Sequence, residues 1–372
     1  MHIVSRRVIL LLLVLTPLCW AQEPDGGEPQ SDIAPDLRDS TLPAAARKGN
    51  FVAVPIPFSN PTLTAGIIGV AAFFHPQTEA QQKSQPASVT GLGLMYSSNK
   101  SYAAAVGHAG YWRDDRWRFK GALAYADVEL PLLGLGENDG ILDVDWLVSG
   151  SFLYSELSRR IGGRWYVGGS SRYVDVEQKF GIRLPSQEFA LLDSFKTIGL
   201  GLNLTFDTRD KPINAYEGRY FRAAATFNRP SFGGDLSYAS YSLAYSAYHT
   251  FPHALVVAWE LSGCIKSDGV PLWDACAIRL RGFATTDYLG KSSVLGQIEA
   301  RWKFDNRWGI VAFAGAGQIN DSFSTLHEHE LVPSYGAGLR WMVDTANRIN
   351  VRLDYGRSTD ADAVYLSVGE AF

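Results

Sequence analysis

Apolar and polar side chains alternate with a period of two along most of the chain beyond residue 50. Across residues 198–207, Ile198, Leu200, Leu202, Leu204 and Phe206 share one face, and Gly199, Gly201, Asn203, Thr205 and Asp207 share the other. Within 294–305, Val294, Ile298, Ala300, Trp302 and Phe304 oppose Gln297, Glu299, Arg301, Lys303 and Asp305. Residues 348–355 set Ile349, Val351, Leu353 and Tyr355 against Arg348, Asn350, Arg352 and Asp354. Successive side chains of a strand point to opposite faces, so each segment predicts a two-faced β-strand. The chain ends the same way, with Val364, Leu366, Val368 and Phe372 on one face and Ser367 and Gly369 on the other.

Sixteen strand-length segments, the first at 51–58 and the last at 362–372, are divided by Gly, Asn, Asp, Ser and Pro. Two of them are placed at 164–174 and 195–208. The pattern predicts an all-β fold, a transmembrane antiparallel β-barrel of about 16 strands, with lipid outside and a polar lumen inside. A soluble sandwich has the same period with its apolar face inward, so the ends of the chain decide between them. Connections at 207–217, 250–253, 305–307 and 344–347 become periplasmic. The longer ones at 128–144, 175–194, 266–291 and 320–331 become extracellular.

The amino-terminal end carries an export signal: Arg6 and Arg7, then an apolar stretch at 8–15, then Cys19-Trp20-Ala21 with cleavage expected after Ala21. The apolar stretch is too short for a spanning helix. Cys19 is a poor lipid acceptor because the bulky Leu18 precedes it. Residues 22–50, with Pro24, Pro29, Pro35 and Pro43 and few apolar side chains, predict a disordered periplasmic lead before a barrel over 51–372.

Composition narrows the partners. The chain holds 36 Gly, 10 Trp, 17 Tyr and 19 Phe with 19% charged residues, and no run of 18 apolar residues that would make a spanning helix. Without residues 1–21 the formal net charge is −6, which offers nothing to nucleic acid; outer-membrane lipids are the expected surroundings. Cys264 and Cys276 are the cysteines left after cleavage, and an even pair in an oxidising compartment predicts a disulfide, two buried free thiols being the alternative. His327-Glu328-His329-Glu330 has the spacing of metal ligands on a strand, yet a polar loop tip explains it better. No serine stands in a nucleophile elbow and no Gly-rich loop precedes a helix. Neither catalysis nor a metal or other cofactor is expected.

Several motifs resemble the BamA/TamA superfamily of outer-membrane barrels, the bacterial surface antigen family. These are Asp207-Thr208-Arg209-Asp210-Lys211-Pro212 with Glu217-Gly218-Arg219-Tyr220-Phe221, then Leu280-Arg281-Gly282-Phe283, Phe313-Ala314-Gly315-Ala316-Gly317 and Gly336-Ala337-Gly338-Leu339-Arg340, and finally Arg352-Leu353-Asp354-Tyr355-Gly356 and the carboxy-terminal strand. Over 51–194 the likeness is looser, in Pro57-Phe58-Ser59-Asn60-Pro61-Thr62 and Leu133-Gly134-Leu135-Gly136. The resemblance implies that the extracellular loop carrying Arg281, Gly282 and Phe283 folds into the lumen as a latch, where a loop arginine that only packs or is solvated is the alternative. Gly315 stands where the family has an acid, which leaves Glu299 as the expected partner of Arg281. Arg301, Lys303, Arg340, Arg352 and Asp354 are expected as ordinary lumen charges.

The assembly and secretion members of that family carry periplasmic POTRA modules, and 22–50 is too short to hold one. The expected function is therefore assistance to insertion or translocation of proteins or lipids at the bacterial outer membrane, with a separate periplasmic partner supplying substrate recognition. A passive diffusion channel is the alternative.

Overall fold

A computed structural model describes residues 49–60, 63–132, 143–184, 187–211, 214–282, 288–323, 326, 331–345, 348–359 and 362–372. The expected signal, nearly all of the lead, Pro61-Thr62, Leu133-Gly134-Leu135-Gly136, Pro212, Phe283 and the 327–330 tip lie outside the described residues.

The barrel strands in chain order begin with β1 (Asn50–Asn60), β2 (Thr64–Phe74), β3 (Val89–Ser97), β4 (Tyr102–Trp112), β5 (Trp117–Leu132), β6 (Asp143–Gly162), β7 (Trp165–Leu184) and β8 (Gln187–Asp207). They continue with β9 (Gly218–Asn228), β10 (Tyr238–Phe251) and β11 (Leu255–Lys266). After the short loop strands β12 (Cys276–Ala277) and β13 (Leu289–Gly290), the wall resumes with β14 (Ser292–Lys303), β15 (Trp308–Asn320), β16 (Val332–Asp344), β17 (Ile349–Ser358) and β18 (Asp362–Val368). Leaving out the β12–β13 pair, these strands form one closed antiparallel ring in which each pairs with its neighbours in sequence and β18 returns to β1. A short α-helix, α1 (Glu79–Ser84), lies in the β2–β3 connection behind a Thr78 capping box. No helix of the described residues is long and apolar enough to cross a membrane.

Burial separates a barrel from a sandwich. Leu202 is 65% exposed and Ile298 49%, while Glu299 and Asp354 on the opposite face are 0% exposed. Apolar side chains outside and charges inside suit a hydrocarbon surround and no aqueous one. At the periplasmic ends of the strands, Trp165 packs on Phe206 (ring centroids 4.9 Å), Trp302 on Phe304 (5.8 Å) and Trp308 on Trp341 (6.2 Å), all facing outward. Such a girdle sits at lipid headgroup level.

Three expectations need correction. The loop expected at 175–194 is mostly strand: β7 and β8 stay in register up to Leu184↔Gln187. Asp175, Glu177 and Lys179 look like loop residues in sequence, but they occupy the outer face of a strand whose inner face carries buried Val174, Val176 and Gln178. β6 to β8 run to 20 or 21 residues. A bilayer needs only about 9–11, so this wall rises well beyond the membrane.

The lumen, second, is only half polar. Many inner positions of β1 to β7 are apolar, among them Phe58, Met95, Ala124, Val128, Trp146 and Val174, and these form one cluster, interrupted by paired charges such as Glu156 with Arg222 and Arg172 with Asp274. The charged alternation of 198–355 belongs to the other half of the wall.

Third, Phe372 does not share the outer face of Val364. β18 ends at Val368, Gly369 adopts φ +89°, and the tail turns inward until the Phe372 ring lies 6.4 Å from lumen-facing Tyr248. A left-handed residue breaks the alternation that the sequence pattern assumes.

A closed ring whose backbone groups are paired within it is expected to withstand SDS at room temperature. The purified protein is expected to show a β-rich circular dichroism spectrum and a faster-migrating unheated band in SDS gels. A helical spectrum, or identical heated and unheated mobility, would contradict the barrel.

Candidate functional site

The described part of the connection between β11 and β14, residues 267–282 and 288–291, enters the lumen, and glycines on the wall make room for it. A Cβ on Gly315 would lie 2.9 Å from Leu280 Cδ2, and one on Gly356 would lie 2.9 Å from the Arg281 Cβ. Gly282 itself has φ +116°, a conformation that side chains rarely adopt. The loop backbone is tied down by the wall: the Gly282 N–H donates to the Tyr365 hydroxyl (2.9 Å), the Ser358 hydroxyl to the Gly282 carbonyl (3.2 Å) and the Ser334 hydroxyl to the Arg281 carbonyl.

Arg281 is the centre of a buried ionic network. Its Nη2 donates to Glu299 Oε1 on β14 and its Nη1 to Asp354 Oδ2 on β17 (2.8 Å), with the guanidinium 3.4 Å above the Phe313 ring. Glu299 Oε2 also accepts from Arg301 Nε (2.7 Å), and Asp354 Oδ1 from Arg340 Nη1 (2.5 Å). Arg340 Nε reaches Glu370 Oε2 (2.8 Å), whose Oε1 accepts from Asn350 Nδ2 (2.5 Å). Arg352 Nε donates to the Ser367 hydroxyl (2.5 Å), and Arg301 Nη2 to the Phe372 carbonyl (3.2 Å). Charges this deeply buried persist only when paired and hydrogen-bonded, and planar guanidinium forks are suited to being shared between carboxylates.

The separation of a latch pair from ordinary lumen charges therefore does not hold. Asp354 is a direct ion-pair partner of Arg281 alongside Glu299, and Arg301, Arg340 and Arg352 belong to the same cluster. No side chain fits at Gly315, where a Cβ would lie 2.9 Å from both the Gly296 carbonyl oxygen and Leu280 Cδ2 and 3.0 Å from Gln297 Cβ. Lys303 stands apart, half-buried near the periplasmic rim. Glu370 was not singled out in the sequence, since it lies beyond the last regular strand position.

A second anchor also escaped sequence reading. Asp274, 2% exposed on the loop, accepts from Arg172 Nη2 of β7 (2.7 Å), the Tyr238 hydroxyl of β10 (2.7 Å) and Lys266 Nζ of β11 (3.1 Å). Its neighbour Trp273 packs into the apolar half of the lumen. An acid flanked by Trp273 and Ala275 close to a cysteine was the available signal. Cys264 and Cys276 are disulfide-bonded with a Cα–Cα distance of 5.7 Å.

The periplasmic end is bridged as well. The 208–217 turn reaches past β10, β11, β14 and β15 to the β16–β17 connection, where Arg348 Nη1 pairs with Asp210 and the Arg348 carbonyl accepts from Asn214 Nδ2 (3.2 Å).

A closed barrel with an inward loop held by an arginine on lumen carboxylates invites comparison with known proteins. Residues 111–372 match the Omp85 superfamily domain. The chain belongs to the Omp85 superfamily. Among solved structures, this Omp85 barrel is similar to BamA from Haemophilus ducreyi lacking POTRA domains 1-3, at 13% identity and a TM-score of 0.58 over 86% of this chain and 69% of that one. It is also similar to CdiB from Acinetobacter baumannii (11% identity, TM-score 0.55) and CdiB from Escherichia coli (13%, 0.57). Each comparison covers 86% of this chain but only 59% and 62% of the respective CdiB chains. Comparison with curated proteins gives no significant match. The molecule is thus an Omp85 barrel of the bacterial outer membrane.

Arg281→Ala is expected to cost roughly 3–5 kcal/mol, the scale of a broken buried ion pair, and to lower the temperature of the heat-modifiability transition. Glu299→Gln should do likewise, and the two together should cost less than their sum because they remove one shared interaction. Additive losses would show that the two residues act separately. Thiol labelling of the denatured, unreduced mature protein should find no free cysteine. Closing the 264–276 loop should contribute about 3 kcal/mol.

Proposed function

We propose that this barrel assists insertion or translocation of proteins or lipids at the outer membrane by opening sideways between β1 and β18. A separate periplasmic partner supplies substrate recognition. The observation that carries this reading is the seam. β1 keeps register with β2 from Asn50↔Phe74 to Asn60↔Thr64, yet it meets β18 at one registered pair, Ser59↔Leu366.

Backbone parity supplies a cause. The N–H and C=O of one strand residue point to the same neighbour, and those of the next residue to the other neighbour. Ser98, just past β3, donates its N–H to the Ala65 carbonyl (2.8 Å), so odd-numbered residues of β2 face β3 and even-numbered ones face β1. Pairs such as Ile56↔Ile68 and Phe58↔Gly66 match even with even, so the odd residues of β1 face β18. Pro55 and Pro57 are both odd. Two donors are therefore missing from the seam edge, where proline is tolerated because the ladder there is short.

BamA and CdiB, to which the chain is similar, support the coarse assignment to the outer-membrane insertion and translocation family. The rival diffusion channel is disfavoured by the loop seated in the lumen at Asp274 and Arg281 and by the Asp210–Arg348 bridge below it. Sideways opening needs neither to move far.

The test is a covalent seam. With Ser59→Cys and Leu366→Cys in a background lacking the native disulfide, the reduced protein in proteoliposomes should accelerate folding of an added outer-membrane barrel, and the oxidised protein should not. Equal acceleration in both redox states would remove the seam from the mechanism. High ion conductance by the wild type in planar bilayers would favour the channel.

A further inference from the structure

The periplasmic ends of β4 to β7 carry a charge imbalance that neither the seam nor the Arg281 latch uses. Residues 113–118 and 159–164, at the β4–β5 and β6–β7 turns, hold six arginines against Asp114 and Asp115. The other periplasmic turn regions, 75–88, 207–219, 249–253, 303–307 and 344–348, each balance to within one charge. The Arg160 N–H donates to the Arg116 carbonyl (2.8 Å), so the two arginine-rich turns form one continuous surface. Asp115 is buried and already paired with Arg118 (2.7 Å) and Arg160 (3.0 Å). Arg113, Arg116, Arg159 and Arg164 remain, all exposed, with Asp114 as the exposed acid among them. Arg159 lies 5.5 Å over the Trp117 ring, and the side chains of the other three have no hydrogen-bond or ion-pair partner among the described residues.

A complementary polyanion stands in the same chain. Residues 23–39, outside the described residues, hold Glu23, Asp25, Glu28, Asp32, Asp36 and Asp39 against Arg38. They precede β1, whose first residue pairs with Phe74 at the periplasmic rim, and β1 is separated from β4 by β2 and β3 alone. At about 4.8 Å per strand, roughly 20–25 Å separates β1 from β5 and β6. The segment 40–49 spans about 33–36 Å when extended, so the acids reach the arginines on the same side of the membrane. The tether makes the encounter intramolecular, which raises the effective concentration of the acids at the rim.

We propose that the acidic segment 23–39 docks on the rim formed by Arg113, Arg116, Arg159 and Arg164 and covers it. The contact is between exposed charges, so each pair is weak and screened by salt, and the segment is held by several pairs at once and remains releasable. The inference stands apart from the seam and supplies an occupant for a basic surface that a periplasmic protein would otherwise meet.

The experiment uses the mature full chain in phosphatidylcholine nanodiscs, with nitroxides on Ser31→Cys and Asp114→Cys; Cys264 and Cys276 are bonded to each other and take no label. Double electron–electron resonance should show a narrow short-distance population that persists when labelled chains are diluted with unlabelled ones. Arg116→Gln with Arg164→Gln should lower the ratio of docked to undocked chains about three- to tenfold, the scale of two exposed ion pairs. Arg219→Gln with Arg307→Gln, which removes the same charge elsewhere on the rim, should leave the ratio unchanged. Asp32→Asn with Asp36→Asn precedes the barrel strands and should lower the ratio likewise, which keeps the test available if the rim variant loses heat-modifiable folding. Salt at about 1 M, where the screening length is about 3 Å, should disperse the short-distance population. Four results would each overturn the proposal: long, broad distances at low salt, equal loss in the two arginine variants, loss of the signal on dilution, which marks docking between copies, or displacement in phosphatidylglycerol nanodiscs, which gives the rim to lipid headgroups.

Discussion

The pairing of Arg281 with Glu299 and Asp354 is the interaction on which the rest of the lumen depends. Both carboxylates are fully buried and each is shared with a strand arginine, Arg301 for Glu299 and Arg340 for Asp354. The wall thus holds a charged cluster before the loop is counted. Arg281 adds one cation that joins β14 to β17 across β15 and β16. Because an uncompensated buried charge is far more costly than an exposed one, the loop is fixed in place by the cluster it completes.

That cluster also reaches the closing strand. The Tyr365 hydroxyl accepts from Gly282, Ser367 from Arg352 and Glu370 from Arg340, while the Phe372 carbonyl accepts from Arg301. The inner side of β18 and the tail that follows it are held by the ionic core, whereas the edge toward β1 has one registered pair and faces two prolines. Strong bonding on one side and weak bonding on the other leave the β1–β18 edge as the least bonded junction of the ring, and the proposed opening is placed there.

Much of the fold was legible because period-two alternation is a local property. The barrel class, its strand number and the periplasmic turns near 207–217, 250–253, 305–307 and 344–347 all follow from it. What was missed is not local. Charged residues such as Glu177 and Lys179 signal a loop only if strands stop at the membrane, and β6 to β8 do not. The partnership of Asp354 with Arg281 joins residues 73 apart in sequence, and Arg172 with Asp274 joins residues 102 apart. Phe372 was placed outside by extending a pattern past Gly369, whose left-handed backbone ends it. Family resemblance pointed to Arg281 and Gly315, but the reason for that glycine is non-local, in the crowding by Leu280 of the loop and by Gly296 and Gln297 of the neighbouring strand.

The division of the lumen into an apolar and an ionic half bears on what the barrel can carry. β1, at the seam, presents Phe58 inward, and the apolar surface continues through β5, β6 and β7. The loop covers it with Trp273, Ala277 and Leu289 while its other flank meets the charges through Arg281. An aqueous pore gains nothing from such a wall, because buried apolar surface exposed to water costs about 25 cal/mol per Å². In the lateral opening proposed above, the same wall would suit lipid chains or the apolar face of an incoming strand, which is chemistry that an aqueous pore has no use for.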